Sequence, residues 1–158
     1  MRLRSTQIRE LLDQTDLEVE VQPVEDRRCG VLVADDEPAI RELLKSVLEQ
    51  NGFSVWVAED GLLATQLYHD HLDNIDVALL DVRMPNLDGP KTLAALQNVT
   101  PKIPCCFMSG DLGPYTSAEL IALGAHTVVQ KPFLVSDVVS LLRMLSKRRF
   151  HMDNLRIH

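Results

Sequence analysis

Five short apolar runs, each followed by a stretch with helical spacing, constrain this chain more than any other feature. They are Val31–Ala34, Phe53–Ala58, Val77–Leu80, Ile103–Met108 and Thr127–Val129. The first and third are apolar without a break, and the fourth is broken only by Pro104, as in strands covered on both faces. After the first run, Ile40, Leu43, Leu44, Val47 and Leu48 recur at i, i+3, i+4, i+7 and i+8, the stripe of an amphipathic helix over 38–50. Comparable spacing predicts helices over 62–71, 89–99, 115–123 and 133–148. Asp36 stands where a cap for the first helix is expected, Pro38 near its first position, and Asn51-Gly52 at its end.

Unbroken strand–helix alternation predicts an α/β fold whose sheet is parallel and covered by helices on both faces. Five strands suit the doubly wound, flavodoxin-like order 2-1-3-4-5, whereas a closed barrel of this type needs eight. Residues 30–148 form the expected domain. Residues 1–29 read as an extension, with one or two helical turns over 5–13 at most, and 149–158 as a short basic tail. The net charge is −7, and the five Lys/Arg against one Asp in 143–158 leave the preceding body more acidic than that total. An acidic body repels nucleic acid and suits a cation. Three cysteines, two of them adjacent at 105 and 106, argue against a disulfide framework and for a reducing compartment. No apolar run reaches membrane-spanning length and the N-terminus is not a signal peptide, so a cytoplasmic protein with no membrane partner is expected.

In the 2-1-3-4-5 order, the carboxyl ends of the first, third, fourth and fifth strands meet near one switch point, where ligands bind in open α/β sheets. The residues at those ends are Asp35-Asp36, Asp81, Ser109-Gly110 and Lys131. Three carboxylates in one pocket raise one another's pKa unless a cation or an ammonium relieves them. Clustered carboxylates suit Mg²⁺, which keeps several of its waters. Lys131 supplies a point charge for an anionic oxygen, Ser109 a hydroxyl donor, and Gly110 leaves room beside it. A metal, a lysine, a hydroxyl and a carboxylate nucleophile together describe a phosphoryl site. A lone strand-end Asp is ordinarily a cap or turn residue. It is the co-occurrence at four strand ends that points to chemistry at Asp81.

These residues resemble the receiver domain of two-component response regulators. The matching stretches are Val-Ala-Asp35-Asp36-Glu-Pro, Leu-Leu-Asp81-Val-Arg-Met-Pro85 with Asp88-Gly89, Met-Ser109-Gly110 and Lys131-Pro132-Phe133, spread over 30–147. The resemblance implies that Asp81 accepts a phosphoryl group from a sensor histidine kinase or a histidine phosphotransfer protein. It implies Mg²⁺ held by Asp36, Asp81 and the backbone carbonyl of Arg83, with Asp35 acting through water. Lys131, Ser109 and Gly110 would then bind the phosphoryl oxygens. It implies a signalling module rather than an enzyme, with self-phosphorylation from small donors and self-dephosphorylation. One departure stands out: Val128 occupies the position, three before the lysine, where the family usually carries a Tyr or Phe that moves with the strand-four hydroxyl. Valine is small and stiff. The switch through Ser109 is therefore expected to rely on the backbone around Ser109-Gly110 and Gly113-Pro114.

With about ten residues beyond the last expected helix, a stand-alone module is expected. Its output would be a downstream protein, or a homodimer through the fourth helix, fifth strand and fifth helix, without direct nucleic-acid contact. The alternative is a Mg²⁺-dependent aspartate-nucleophile phosphatase. That class needs a second Asp two residues after the nucleophile, and Arg83 stands there, expected at the pocket rim where it would affect water access. His69, His71, His126, His151 and His158 show no metal-ligand spacing.

Overall fold

The computed structural model describes residues 27–156. The helical turns expected within 5–13, and most of the expected extension, lie outside those residues. Five parallel strands, β1 (Gly30–Ala34), β2 (Ser54–Ala58), β3 (Val77–Asp81), β4 (Cys105–Ser109) and β5 (Thr127–Gln130), form one sheet in the order β2-β1-β3-β4-β5. They alternate with α1 (Pro38–Gln50), α2 (Gly61–Asp70), α3 (Gly89–Val99), α4 (Ser117–Ala122) and α5 (Val135–Arg156). This is the predicted doubly wound architecture.

The two-residue period of a strand sends its apolar side chains alternately to two cores. Leu32, Ala34, Ala78, Leu80 and Phe107 pack with Ala64, Tyr68, Leu93, Leu96 and Leu120 of α2, α3 and α4. Val31, Val33, Val77, Leu79, Cys106 and Met108 pack on the opposite face with Leu44 and Leu48 of α1 and Val138, Leu142 and Leu145 of α5. Every residue of β1, β3 and β4 is buried, which is why those runs carry no polar alternation. The adjacent cysteines 105 and 106 belong to different cores and are free, and burial pushes the Cys106 thiol up to about 12. They serve as small apolar side chains.

Helix ends follow side-chain chemistry more closely than apolar spacing. Asp60 caps α2 by accepting from Leu63 N–H, and Asp88 caps α3 by accepting from Lys91 N–H. Thr116 and Glu119 form a reciprocal capping box, so α4 begins at Ser117 and leaves the expected first residue, Tyr115, in the loop before it. Asp36 does not cap α1. Its N-cap is Glu37, which makes no side-chain cap bond, and the Glu37 N–H instead donates to Asp35 Oδ1 at 2.9 Å. The short side chain of Asp35 reaches two residues forward, as in an Asx turn, while Asp36 stays exposed. The last helix does not stop at 148 but continues to Arg156, through most of the expected tail. No Gly or Pro follows Pro132 to end it.

At the amino ends of the central strands β1 and β3, buried Asp76 accepts two hydrogen bonds from the Arg27 guanidinium, at 2.8 and 2.7 Å, and one from Gly30 N–H at 2.8 Å. This bidentate pair fixes where the chain enters β1. Among the described residues no helix is long and apolar enough to cross a membrane. The two-sided core predicts unequal costs for two leucines. Truncating the fully buried Leu80 to Ala is expected to lower the unfolding free energy by about 3 kcal/mol. The same change at Leu62, 57% exposed, should cost less than about 0.5 kcal/mol. Equal losses in urea unfolding would contradict this placement.

Candidate functional site: an acidic pocket at the switch point

β1 and β3 lie side by side, yet α1 crosses behind one face and α3 in front of the other. Their carboxyl ends therefore open a crevice. The register pairs Ala34 with Leu80 and Asp81 with Met108, so Asp35 follows directly on β1, Asp81 ends β3 and Ser109 ends β4. Lys131 joins them because its N–H donates to the Ser109 carbonyl at 2.9 Å, just after β5. The Lys131–Pro132 bond is cis. Carboxylate oxygens of Asp35, Asp36 and Asp81 all lie within 4.8 Å of one another.

Lys131 is the hub. Its Nζ donates to Asp35 Oδ2 at 2.7 Å, to Glu37 Oε1 at 3.3 Å and to Asp81 Oδ2 at 3.4 Å. Asp35 is fully buried and spends both oxygens inside the protein, one on Lys131 and one on the Glu37 N–H. Asp36 is exposed, and Asp81 is 6% exposed. Burial, and then the negative charge of Asp35, push the Asp81 carboxyl up to about 7, although Lys131 pulls the other way. For Lys131 burial opposes the charge, but the hydrogen bond to Asp35 and the fields of Asp81 and Asp35 outweigh it and its pKa is raised.

Ser109 Oγ is buried and has no hydrogen-bond partner among the described residues. An unmade bond of this kind costs about 1–3 kcal/mol, and it leaves a donor available beside the acidic cluster. A Cβ added at Gly110 would meet nothing nearer than Lys131 Cβ at 3.8 Å, so there is more room here than a glycine requires. Gly89 is different. A Cβ there would come within 2.3 Å of the Asp81 carbonyl oxygen, so only glycine lets α3 start against the end of β3.

Arg83 stands at the rim, where it forms an exposed ion pair with Asp111 at 2.7 Å and lies over Gly113. Val128 is half-buried, paired with Phe107 in the sheet and packed against the core under α4. Beside the acidic cluster a cleft of about 420 Å³ is lined by Asp36, Arg83, Met84, Pro85, Pro114 and Tyr115, with Val82 and Asp88. Tyr115 O–H donates to Asp88 Oδ2 at 2.9 Å, and Asn86 Nδ2 donates to Asp60 Oδ2 at 2.8 Å. The sequence reading missed these loop-to-loop bonds and the Glu37 contact to Lys131. Only the Thr116-x-x-Glu119 capping box was visible in the sequence as a sign that Tyr115 lies outside α4.

A family model described as the response regulator receiver domain matches residues 31–143. The chain belongs to that family. The transcriptional regulatory protein CpxR of Escherichia coli K12 is 38% identical over 120 residues, covering 75% of this chain and 49% of CpxR. The response regulator GtcR of Aneurinibacillus migulanus is 32% identical over 123 residues, covering 78% of this chain and 50% of GtcR. The chain thus spans about half the length of these relatives. Among solved structures, the receiver domain of the Francisella response regulator 1452 superposes with a TM-score of 0.70 at 31% identity, covering 77% of this chain and 98% of that one. CheY in the CheX–CheY–BeF3–Mg²⁺ complex of Borrelia burgdorferi gives a TM-score of 0.68 at 25% identity, covering 74% and 88%.

The raised Asp81 pKa has a signed consequence for stability. A carboxyl that titrates near 7 when folded and near 3.9 when unfolded costs the native state progressively as pH rises between those values, and the full cost, a few kcal/mol, persists above 7. Asp81→Asn removes the charge and hence the cost. Without divalent cations, its melting temperature should exceed that of the wild type clearly at pH 8 and by much less at pH 5. A gap that is constant with pH would contradict the assignment.

Proposed function

We propose that Asp81 of this receiver domain is a reversible phosphoryl acceptor, charged by the phosphohistidine of a sensor kinase or phosphotransfer protein. The observation that carries this is the pairing of a buried carboxylate, held against Lys131, with the unspent Ser109 hydroxyl on the next strand. An Asp81 oxygen attacks phosphorus. The O–P bond forms as the N–P bond of the phosphohistidine breaks, and its electron pair returns to the imidazole nitrogen. Water later attacks phosphorus, releasing phosphate and restoring the carboxylate.

Lys131 Nζ, already poised between Asp35 and Asp81, would donate to one phosphoryl oxygen and Ser109 Oγ to another, with Gly110 lining the approach. Positioning and charge neutralisation of this kind are most of what phosphoryl transfer needs. The donor set fits Mg²⁺: three carboxylates with oxygens within 4.8 Å, one of them open to solvent, suit a small hard cation that keeps some waters. Asp36, Asp81 and the Arg83 backbone carbonyl would hold it, with Asp35 acting through water because both its oxygens are engaged. A bound Mg²⁺ supplies positive charge that offsets the phosphoryl oxygens. It also favours the ionised form of Asp81, which the apo site disfavours near neutrality.

The readers of this state would be proteins docking on α4, β5 and α5, a second copy of the chain included. A phosphatase gains no support, since the position two after Asp81 holds a guanidinium paired with Asp111, which cannot serve as a general acid at neutral pH. Incubation with a small acyl phosphate and Mg²⁺ should add the mass of one phosphoryl group to the wild type and none to Asp81→Asn. Lys131→Ala should keep Mg²⁺ affinity but blunt the conformational response. Phosphorylation of Asp81→Asn to the wild-type extent would overturn the acceptor assignment.

A further inference from the structure

Between Ser109 and α4 the chain has only seven residues, 110–116, and one part-buried side-chain bond ties them to the β3–α3 loop. Tyr115 O–H donates to Asp88 Oδ2 at 2.9 Å, while the other oxygen of that carboxylate accepts from Lys91 N–H and caps α3. The Tyr115 ring packs partly buried against the core that holds Phe107 and Leu120, alongside Leu112, Met84 and Val128. The next residue, Thr116, is the cap of α4, accepting from Glu119 N–H through its hydroxyl and from Leu120 N–H through its carbonyl. One phenol thus stands where the start of α3, the start of α4 and the loop leaving Ser109 meet. The second bond across the same gap, Arg83 to Asp111, joins side chains 61% and 71% exposed and contributes little.

We infer that the Tyr115–Asp88 hydrogen bond is an autoinhibitory latch: it holds the 110–116 loop and the start of α4 in the resting arrangement, and engagement of Ser109 at Asp81 opens it. The inference rests on Asp81 being the phosphoryl acceptor. Three features of the structure support it. Ser109 has a free hydroxyl to spend, so binding a phosphoryl oxygen draws the start of this loop toward Asp81. Tyr115 and Asp88 line the cleft of about 420 Å³ next to the acidic pocket, which gives the freed ring a volume to move into. At position 128, behind this loop, stands a half-buried valine with no polar group to exchange partners, whereas Tyr115 has a hydroxyl that can. In this chain the aromatic that changes state sits in the loop before α4 rather than on β5.

A latch that favours the resting state must lower the affinity for any ligand that favours the other state, by the factor its own bond contributes. Tyr115→Phe removes only the hydroxyl and keeps the ring. Beryllofluoride with Mg²⁺, an unreactive phosphoryl mimic, is the probe, titrated into wild-type and Tyr115→Phe protein at one pH. The variant is expected to bind the mimic more tightly, by roughly tenfold to a hundredfold, the range for losing one hydrogen bond to a charged acceptor. Its Glu119 and Leu120 amides should exchange faster than the wild type's without the mimic, and at the same rate with it. Equal or weaker binding of the mimic by Tyr115→Phe overturns the latch, since a merely structural role for the hydroxyl would weaken binding. A wild type that shows no Asp81-dependent binding of the mimic overturns the acceptor reading, and the latch with it.

Discussion

The ammonium of Lys131 is the interaction on which the site depends. Three carboxylates cannot share a pocket at neutral pH without something positive among them, and Lys131 reaches two of them and Glu37 at 2.7 to 3.4 Å. It partly offsets the repulsion but does not remove it: Asp81 still titrates near 7. The resting site is therefore underneutralised, which suits the cation proposed for it. Asp35 helps by being unavailable. With both oxygens bound, it acts as a fixed support for Lys131.

The doubly wound topology brings these residues together from positions up to 96 apart in sequence. The sheet does so with ordinary apolar strands, because each functional group sits just where burial ends and the chain turns. The surrounding loops are then joined to one another. Asn86 reaches the cap of α2, and Tyr115 reaches the cap of α3. Gly89 lets α3 begin in contact with the Asp81 backbone. The loops beside Asp81 are thus bonded to the starts of two helices.

The sheet and the pocket were legible in the sequence for the same reason. Strands buried on both faces must be written in unbroken apolar runs, and the runs end in the residues of the candidate site. Asp35, Asp36, Asp81, Ser109 and Lys131 could be placed from strand order alone. What apolar spacing could not report was helix length: α5 runs on to Arg156, past the expected end at 148. Nor could it report which of two neighbouring aspartates would turn inward, since Asp35 and Asp36 differ only in which face of the chain they occupy. The Tyr115–Asp88 and Arg83–Asp111 pairs lie on loops that meet only in three dimensions, and nothing in their local sequence marks them as partners.

Asp81 is a carboxylate kept poised by burial and by Asp35 against Lys131. A carbon-13 titration of the Asp81 carboxyl group, in the absence of divalent cations, tests this most directly. The midpoint should lie near 7 in the wild type, move higher in Lys131→Ala and fall when Mg²⁺ is added. A midpoint near 4, the ordinary value for an aspartate, unmoved by loss of the lysine, would contradict it.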